Sequence, residues 1–195
     1  LQKPKHHFGY TKPLCNIMKM RQTIIFILTI IFFSCQNDLD KNKQVFQNIL
    51  GEKKTNAINS LVTDFEKNLK KNYPELKIEK AYEKYLTEII SDSTTDFEKF
   101  KFQSPKTETK LNKSGLWNEL YLKDENGLLM INKTGQYLRA LDYVGETDKF
   151  VKEYYENREA AGMIRQELIV RGILKSNPNF NDYFHKRIVV IEFTF

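Results

Sequence analysis

The chain has 195 residues, with 31 lysines and arginines against 25 aspartates and glutamates, for a formal net charge of +6. That length suffices for one domain with a sizeable core and is too short to expect several. Two cysteines, three histidines and eight scattered glycines exclude a disulfide framework, a multi-cysteine zinc module and a glycine-rich phosphate loop.

Residues 1–17, LQKPKHHFGYTKPLCNI, precede the first methionine. They read as translated sequence upstream of the true start, Met18 or Met20, so His6 and His7 are set aside as metal ligands. Residues 18–34, MKMRQTIIFILTIIFFS, carry Lys19 and Arg21 and then a nearly unbroken apolar run from Ile24 to Phe33. This is the charge and hydropathy pattern of a signal peptide, and the run stops short of the roughly 20 apolar residues that span a bilayer. At its end stands Phe32-Phe33-Ser34-Cys35, a small residue directly before a cysteine, which predicts cleavage between Ser34 and Cys35.

That tetrad resembles the lipobox of Bacteroidota lipoproteins. The resemblance implies that the Cys35 thiol receives a diacylglycerol and becomes the first residue of the mature protein. It further implies anchoring in the bacterial outer membrane, facing the periplasm or the cell surface, through acyl chains such as palmitate. Stable anchoring generally takes more than one chain, a condition that a diacyl or triacyl cysteine satisfies. The resemblance covers the leader and the residues just after it. The body resembles only uncharacterised lipoproteins of those bacteria, which implies no activity.

The first 35 residues hold five basic side chains and no acid, so 26 basic and 25 acidic residues follow them. With a net charge of +1 there, nucleic acid is not expected as a partner. Residues 35–43 read as the lipidated Cys35 and a flexible polar tether, QNDLDKNK, in which Asp38 and Asp40 resemble a signal for export to the cell surface. Residues 44–195 are expected to form a single, mainly α domain of about six to eight short helices.

Within that domain Val45, Phe46, Ile49 and Leu50 make a short stripe that Gly51 ends. Ile58, Leu61, Val62, Phe65 and Leu69 share one helical face up to Tyr73-Pro74, and Ile78, Ala81, Tyr82, Tyr85, Leu86, Ile89 and Ile90 share another, which predicts an αα-hairpin. The span 91–114 is polar and reads as a loop with a short helical piece, offering only Phe97, Phe100 and Phe102 for burial. Ser114 is placed to cap a helix carrying Leu116, Trp117, Leu120 and Tyr121.

The turn signal Lys123 to Gly127, KDENG, joins either two helices or the strands of a small β-hairpin within 119–132. Neither flank alternates cleanly, and helices are favoured. Tyr137, Leu138, Leu141 and Val144 form the next stripe, ended by Gly145. Thr147 is placed to cap a helix aligning Phe150, Val151, Tyr154 and Arg158 up to Gly162, and Met163, Ile164, Leu168, Ile169 and Ile173 make another. The last stretch is ambiguous, because RIVVIEFTF has the content of a strand while Phe184, Ile188, Ile191 and Phe195 fit a helix face. A helix is favoured because no confident partner strand exists elsewhere.

Chemistry-bearing motifs are few. His185 is the single histidine after the leader and reads as structural or surface. Asp64 with Glu66, or Glu156 with Glu159, offer acid pairs of the kind that any chain this charged contains. Asp92 to Asp96 and Asp124 to Gly127 lack the spacing of a calcium loop. Asp92-Ser93-Thr94 resembles the Bacteroidota O-glycosylation signal, which makes Ser93 the modified residue. Nine tyrosines follow the leader, and the adjacent Tyr154 and Tyr155 diverge around a helix, which makes them candidates for an exposed aromatic contact.

The expectation is a non-enzymatic binding or scaffold module with a protein partner, no cofactor, and contact with the membrane through lipid on Cys35. The alternatives are a periplasmic immunity or inhibitor lipoprotein, predicting a toxin gene next door, and a small carboxylate-dependent envelope hydrolase, predicting a cleft where two acids converge.

Overall fold

The computed structural model describes residues 39–91 and 101–194. The expected leader with Ser34 and Cys35, the segment holding Ser93 and Phe97, and Phe195 lie outside the described residues. A compact unit runs from Asn42 to Phe195, and it is mainly helical with one small antiparallel sheet. Among the described residues no helix is long and apolar enough to cross a membrane.

Helix α1 covers residues 39–50 and thus begins inside the segment expected to be a flexible tether. Leucine and lysine are good helix formers, and Asn42 is fixed by a hydrogen bond from its Nδ2 to Thr147 Oγ1 at 2.8 Å. A polar segment with a specific partner is ordered whatever its hydropathy. Gly51 then turns the chain at φ +86°, which a residue with a Cβ adopts only under strain.

The αα-hairpin follows as expected, with α2 at Glu52–Asn72 and α3 at Ile78–Ser91. Ile58, Leu61, Val62, Phe65 and Leu69 are all buried, and Phe65 packs its ring against Tyr82, Tyr85 and Phe102 at 4.8–5.2 Å between centroids.

The span expected to be largely loop contains a ten-residue helix, α4 (Pro105–Ser114). Ser104-Pro105 forms its start. The Ser104 hydroxyl accepts from Thr107 N at 3.3 Å, and Pro105 sits where its missing N–H costs nothing. Ser114 closes this helix, and its Oγ also accepts from Leu116 N at 3.0 Å at the start of α5 (Leu116–Leu120).

Around KDENG the favoured helices give way to a β-hairpin, in which β1 (Tyr121–Lys123) pairs antiparallel with β2 (Leu129–Ile131), Tyr121 opposite Ile131. Asp124 sets the turn, its Oδ1 accepting from Asn126 N at 2.9 Å and Leu128 N at 2.8 Å, and Gly127 takes φ +80°. Three-residue strands are too short to show the alternation that would have announced them.

Helices α6 (Gln136–Gly145) and α7 (Lys149–Ala161) pack on each other. The cap of α7 is Asp148, not Thr147. Asp148 Oδ1 accepts from Val151 N at 3.0 Å, while the Thr147 hydroxyl serves Asn42. Met163 and Ile164 precede α8 (Gln166–Lys175) rather than belonging to it.

The C-terminal stretch is a helix, α9 (Tyr183–Glu192), with eight of its ten residues buried. A helix enclosed on all sides reads in sequence like a strand, since both are apolar in every direction. It is flanked by α2, α7 and α8. Burying each of Ile188, Val189, Val190 and Ile191 contributes about 1.5–3 kcal/mol.

The start of α6 is keyed into α5. A Cβ on Gly135 would lie 2.1 Å from the Glu119 carbonyl oxygen. Beside it Glu119 Oε2 accepts from Gln136 N at 2.7 Å, and its Oε1 meets Lys54 Nζ at 2.6 Å. Gly135→Ala is therefore expected to lower unfolding free energy by about 1–3 kcal/mol in urea denaturation. Equal stability in the variant would show that the two backbones separate freely.

Candidate functional site

Among the described residues, one group of histidine and carboxylates has a metal-like arrangement: Asp148, Asp182 and His185, with one donor atom from each inside 4.8 Å. His185 stands in the first turn of α9 and is buried. Its Nδ1 accepts from Asn179 N at 2.8 Å, which puts the ring proton on Nε2. Nε2 then donates to the Asp148 carboxylate, 3.1 Å from Oδ2.

Both carboxylates have further duties. Asp148 caps α7, and Asp182 Oδ1 caps α9 by accepting from Phe184 N at 2.6 Å. A metal-binding histidine normally donates its second N–H outward, and here that nitrogen is an acceptor. A general base needs a free lone pair, and His185 has none to offer. The trio is a structural clasp joining the starts of two helices, which agrees with the expected structural histidine.

Burial alone would raise the Asp148 pKa. Hydrogen bonds from His185 and from the first turn of α7 outweigh it and hold the group below the usual carboxylate value. A depressed carboxylate contributes stability that is present above its unfolded pKa, near 3.9, and is lost as pH falls through the folded value. Asp148→Asn is expected to cost about 1.5–3 kcal/mol at pH 7 and to flatten the loss of stability below pH 4, followed by urea denaturation across pH. An unchanged acid limb would show that Asp148 carries none of it.

A second polar group lies in the core. Tyr154 donates its hydroxyl to Glu192, which also meets Arg158 Nε at 3.0 Å. Arg158 Nη1 donates to Gly162 O at 3.2 Å, closing the end of α7. Burial pushes Glu192 upward against the opposing pull of Arg158 and Tyr154. Tyr154 is thus an internal ligand of a buried ion pair and not the exposed aromatic contact expected of it. It lies on the inward stripe with Phe150, Val151 and Arg158, and only its neighbour Tyr155 reaches the surface, half-buried. In sequence, the lone glutamate within RIVVIEF was the available sign of this pair.

The acid pairs do not converge. Asp64 Oδ2 accepts from Ser104 N at 2.9 Å, and Glu66 meets Lys186 at 2.8 Å. Glu156 and Glu159 lie exposed on α7. A small apolar cavity of about 190 Å³ between α7 and α8 is lined by Phe150, Ile164, Leu168 and Ile173, with Arg158 at its edge already engaged by Glu192 and Gly162.

A groove of about 770 Å³ between α2 and α4 gathers five lysines. Lys53, Asn56, Ser60, Thr63 and Lys67 come from one face of α2, at spacings of three and four residues, and Lys106, Lys110 and Lys113 come from α4. The bond from Ser104 N to Asp64 docks α4 along α2, and Thr107 and Leu111 are buried in the seam.

Burial would raise Asp64, but hydrogen bonds from Ser104 and Thr107 and the charge of Lys67 keep it below the usual value and ionised. Among the described residues it is the single acid in the lining. Some lysines elsewhere pair with carboxylates, as in Lys80 with Glu83, Lys84 with Glu88 and Lys186 with Glu66. None of the five groove lysines has a carboxylate within ion-pairing distance among the described residues.

The chain matches no family model, no curated protein and no solved structure. The geometry therefore carries the functional reading. Sequence reasoning missed the groove because the lysine period of 106, 110 and 113 has meaning only on a helix, and that span was read largely as loop.

Proposed function

We propose that this chain is a lipid-anchored protein of the bacterial outer membrane that works by binding without turnover, and that it binds through the lysine-lined groove between α2 and α4. The leader ending at Ser34-Cys35 supports the anchor. The groove carries the binding reading, because five lysines without a carboxylate partner among the described residues line one concavity. His185, the natural candidate for acid–base work, has both nitrogens engaged, which weighs against the hydrolase reading, as do the divergent acids.

A protein-partner reading, as in a scaffold or an inhibitor, draws support from the hairpin. The cross-strand pair Leu122 and Met130 is exposed, as is Leu128 in the turn. Three exposed apolar side chains on one short hairpin make only a small patch, so this stays the second reading.

The anchor and the groove are tested separately in the producing bacterium. Cys35→Ala is expected to move the protein out of the membrane fraction and to abolish incorporation of labelled palmitate. Retention in the membrane at high salt would remove the lipid anchor. Added back to washed envelopes, the Cys35→Ala protein is expected to rebind at low salt, and Lys67→Gln with Lys110→Gln is expected to prevent it. Undiminished rebinding by that variant would rule out the groove as the binding surface.

A further inference from the structure

Resting on the reading of the α2/α4 groove as the binding surface, we infer that its ligand is an acidic polysaccharide. Ammonium groups would hold the anionic substituents of the sugar chain, and hydroxyl and amide side chains would hold its free hydroxyls. Lys53 to Lys67 spans 14 residues of helix, about 21 Å at 1.5 Å per residue. Charges spread over that length suit an oligomer carrying an anion on successive units, and not a single phosphate.

The lining between the lysines selects among polyanions. Among the described residues it contains Asn56, Ser60, Thr63 and Ser104 and no aromatic side chain. Single-stranded nucleic acid is held by stacking its bases on aromatic rings, and the described lining offers none. Protein hot spots use Trp, Tyr and Arg in apolar pockets, and lysine is depleted there. A bilayer surface is flat and meets a concave groove poorly. A hydroxylated anionic chain matches both components of the lining, and the pairing of Lys110 Nζ with Ser60 Oγ at 2.9 Å shows that the two kinds of donor stand within reach of one ligand.

A buried cation behind the groove strengthens the field. Arg187 on α9 is 8 % exposed, has no carboxylate partner among the described residues, and its Nε has no hydrogen-bond partner. Its Nη2 donates to the Oδ1 of Asn59, a lining residue of the groove, while the guanidinium lies over the Tyr183 ring. The residues after Cys35 have a net charge of only +1, so five lysines and one aspartate in the groove leave the rest of the protein acidic. An anionic polymer is thereby favoured at this face over the rest of the surface taken as a whole.

The test is isothermal titration of the purified full chain with oligogalacturonate at low ionic strength. Neutral dextran and oligodeoxythymidylate of matched length serve as the other probes. Oligogalacturonate is expected to bind, more weakly as salt is raised, and dextran not to bind. Lys67→Gln with Lys110→Gln is expected to weaken binding about tenfold, the effect of removing two exposed charge contacts. The hairpin pair Lys123→Gln with Lys133→Gln should change it less than about twofold by the same measure, since neither residue lines the groove. Lys53→Gln with Lys113→Gln, also exposed and outside the core, should repeat the groove result.

Absence of binding to oligogalacturonate, an equal loss in the groove and hairpin variants, or equal or tighter binding of oligodeoxythymidylate would each overturn the inference. Groove-dependent rebinding to envelopes in the face of such a result would leave the binding reading standing and change only the ligand.

Discussion

Helix α9 brings three ionisable side chains, His185, Arg187 and Glu192, into the interior of a small domain, and their satisfaction constrains what packs around it. An isolated charge in a low-dielectric interior is far more costly than any single apolar contact is favourable. Glu192 is answered by Arg158 and Tyr154 from α7. His185 is answered by Asp148 at the start of α7 and by the Asn179 amide, and Arg187 by Asn59 on α2 and the Tyr183 carbonyl. Apolar packing alone would tolerate sliding of α9 along its neighbours. Three directional polar contacts placed towards its two ends do not, so they fix its register as well as its burial.

This division explains what could be read in advance. Helices α2 and α3 were legible because one face is apolar and the other is solvated, which writes the helical period into the sequence. Helix α9 was only half legible, since enclosure on all sides erases that period and leaves β-branched content shared with strands. The hairpin was too short to alternate, and α4 was hidden because a mostly polar helix docked by Thr107 and Leu111 has almost no stripe. Its start was written in Ser104-Pro105, but the same dipeptide also begins turns, and only the docking to Asp64 distinguishes the two.

The candidate site was less legible than the fold for a related reason. A binding groove is made by two helices that are distant in sequence, so its charge pattern exists only after α4 lies beside α2. Composition pointed the other way, because the near-neutral balance after Cys35 argues against a polyanion partner when charge is averaged over the domain. The average conceals a segregation, with five lysines along one groove and a surplus of acid elsewhere. For association with a charged polymer it is the local field that matters, since screening limits each charge to about 8–10 Å of influence.

The same segregation bears on why the interior polar groups are poor candidates for chemistry. Asp148 and Glu192 are already bonded to the partners that make their burial tolerable, so recruiting either for catalysis would release the element it holds. Asp148 cannot leave His185 without uncapping α7, and Glu192 cannot leave Arg158 without stranding a cation beside Tyr154. The lysines of the groove are under no such constraint. They are exposed and unpaired, and they are mounted on two helices whose positions are set from behind by apolar contacts and by Asp64. A surface that is fixed in shape and unsatisfied in charge is suited to take a ligand with little rearrangement, and the face where α4 lies along α2 has both features.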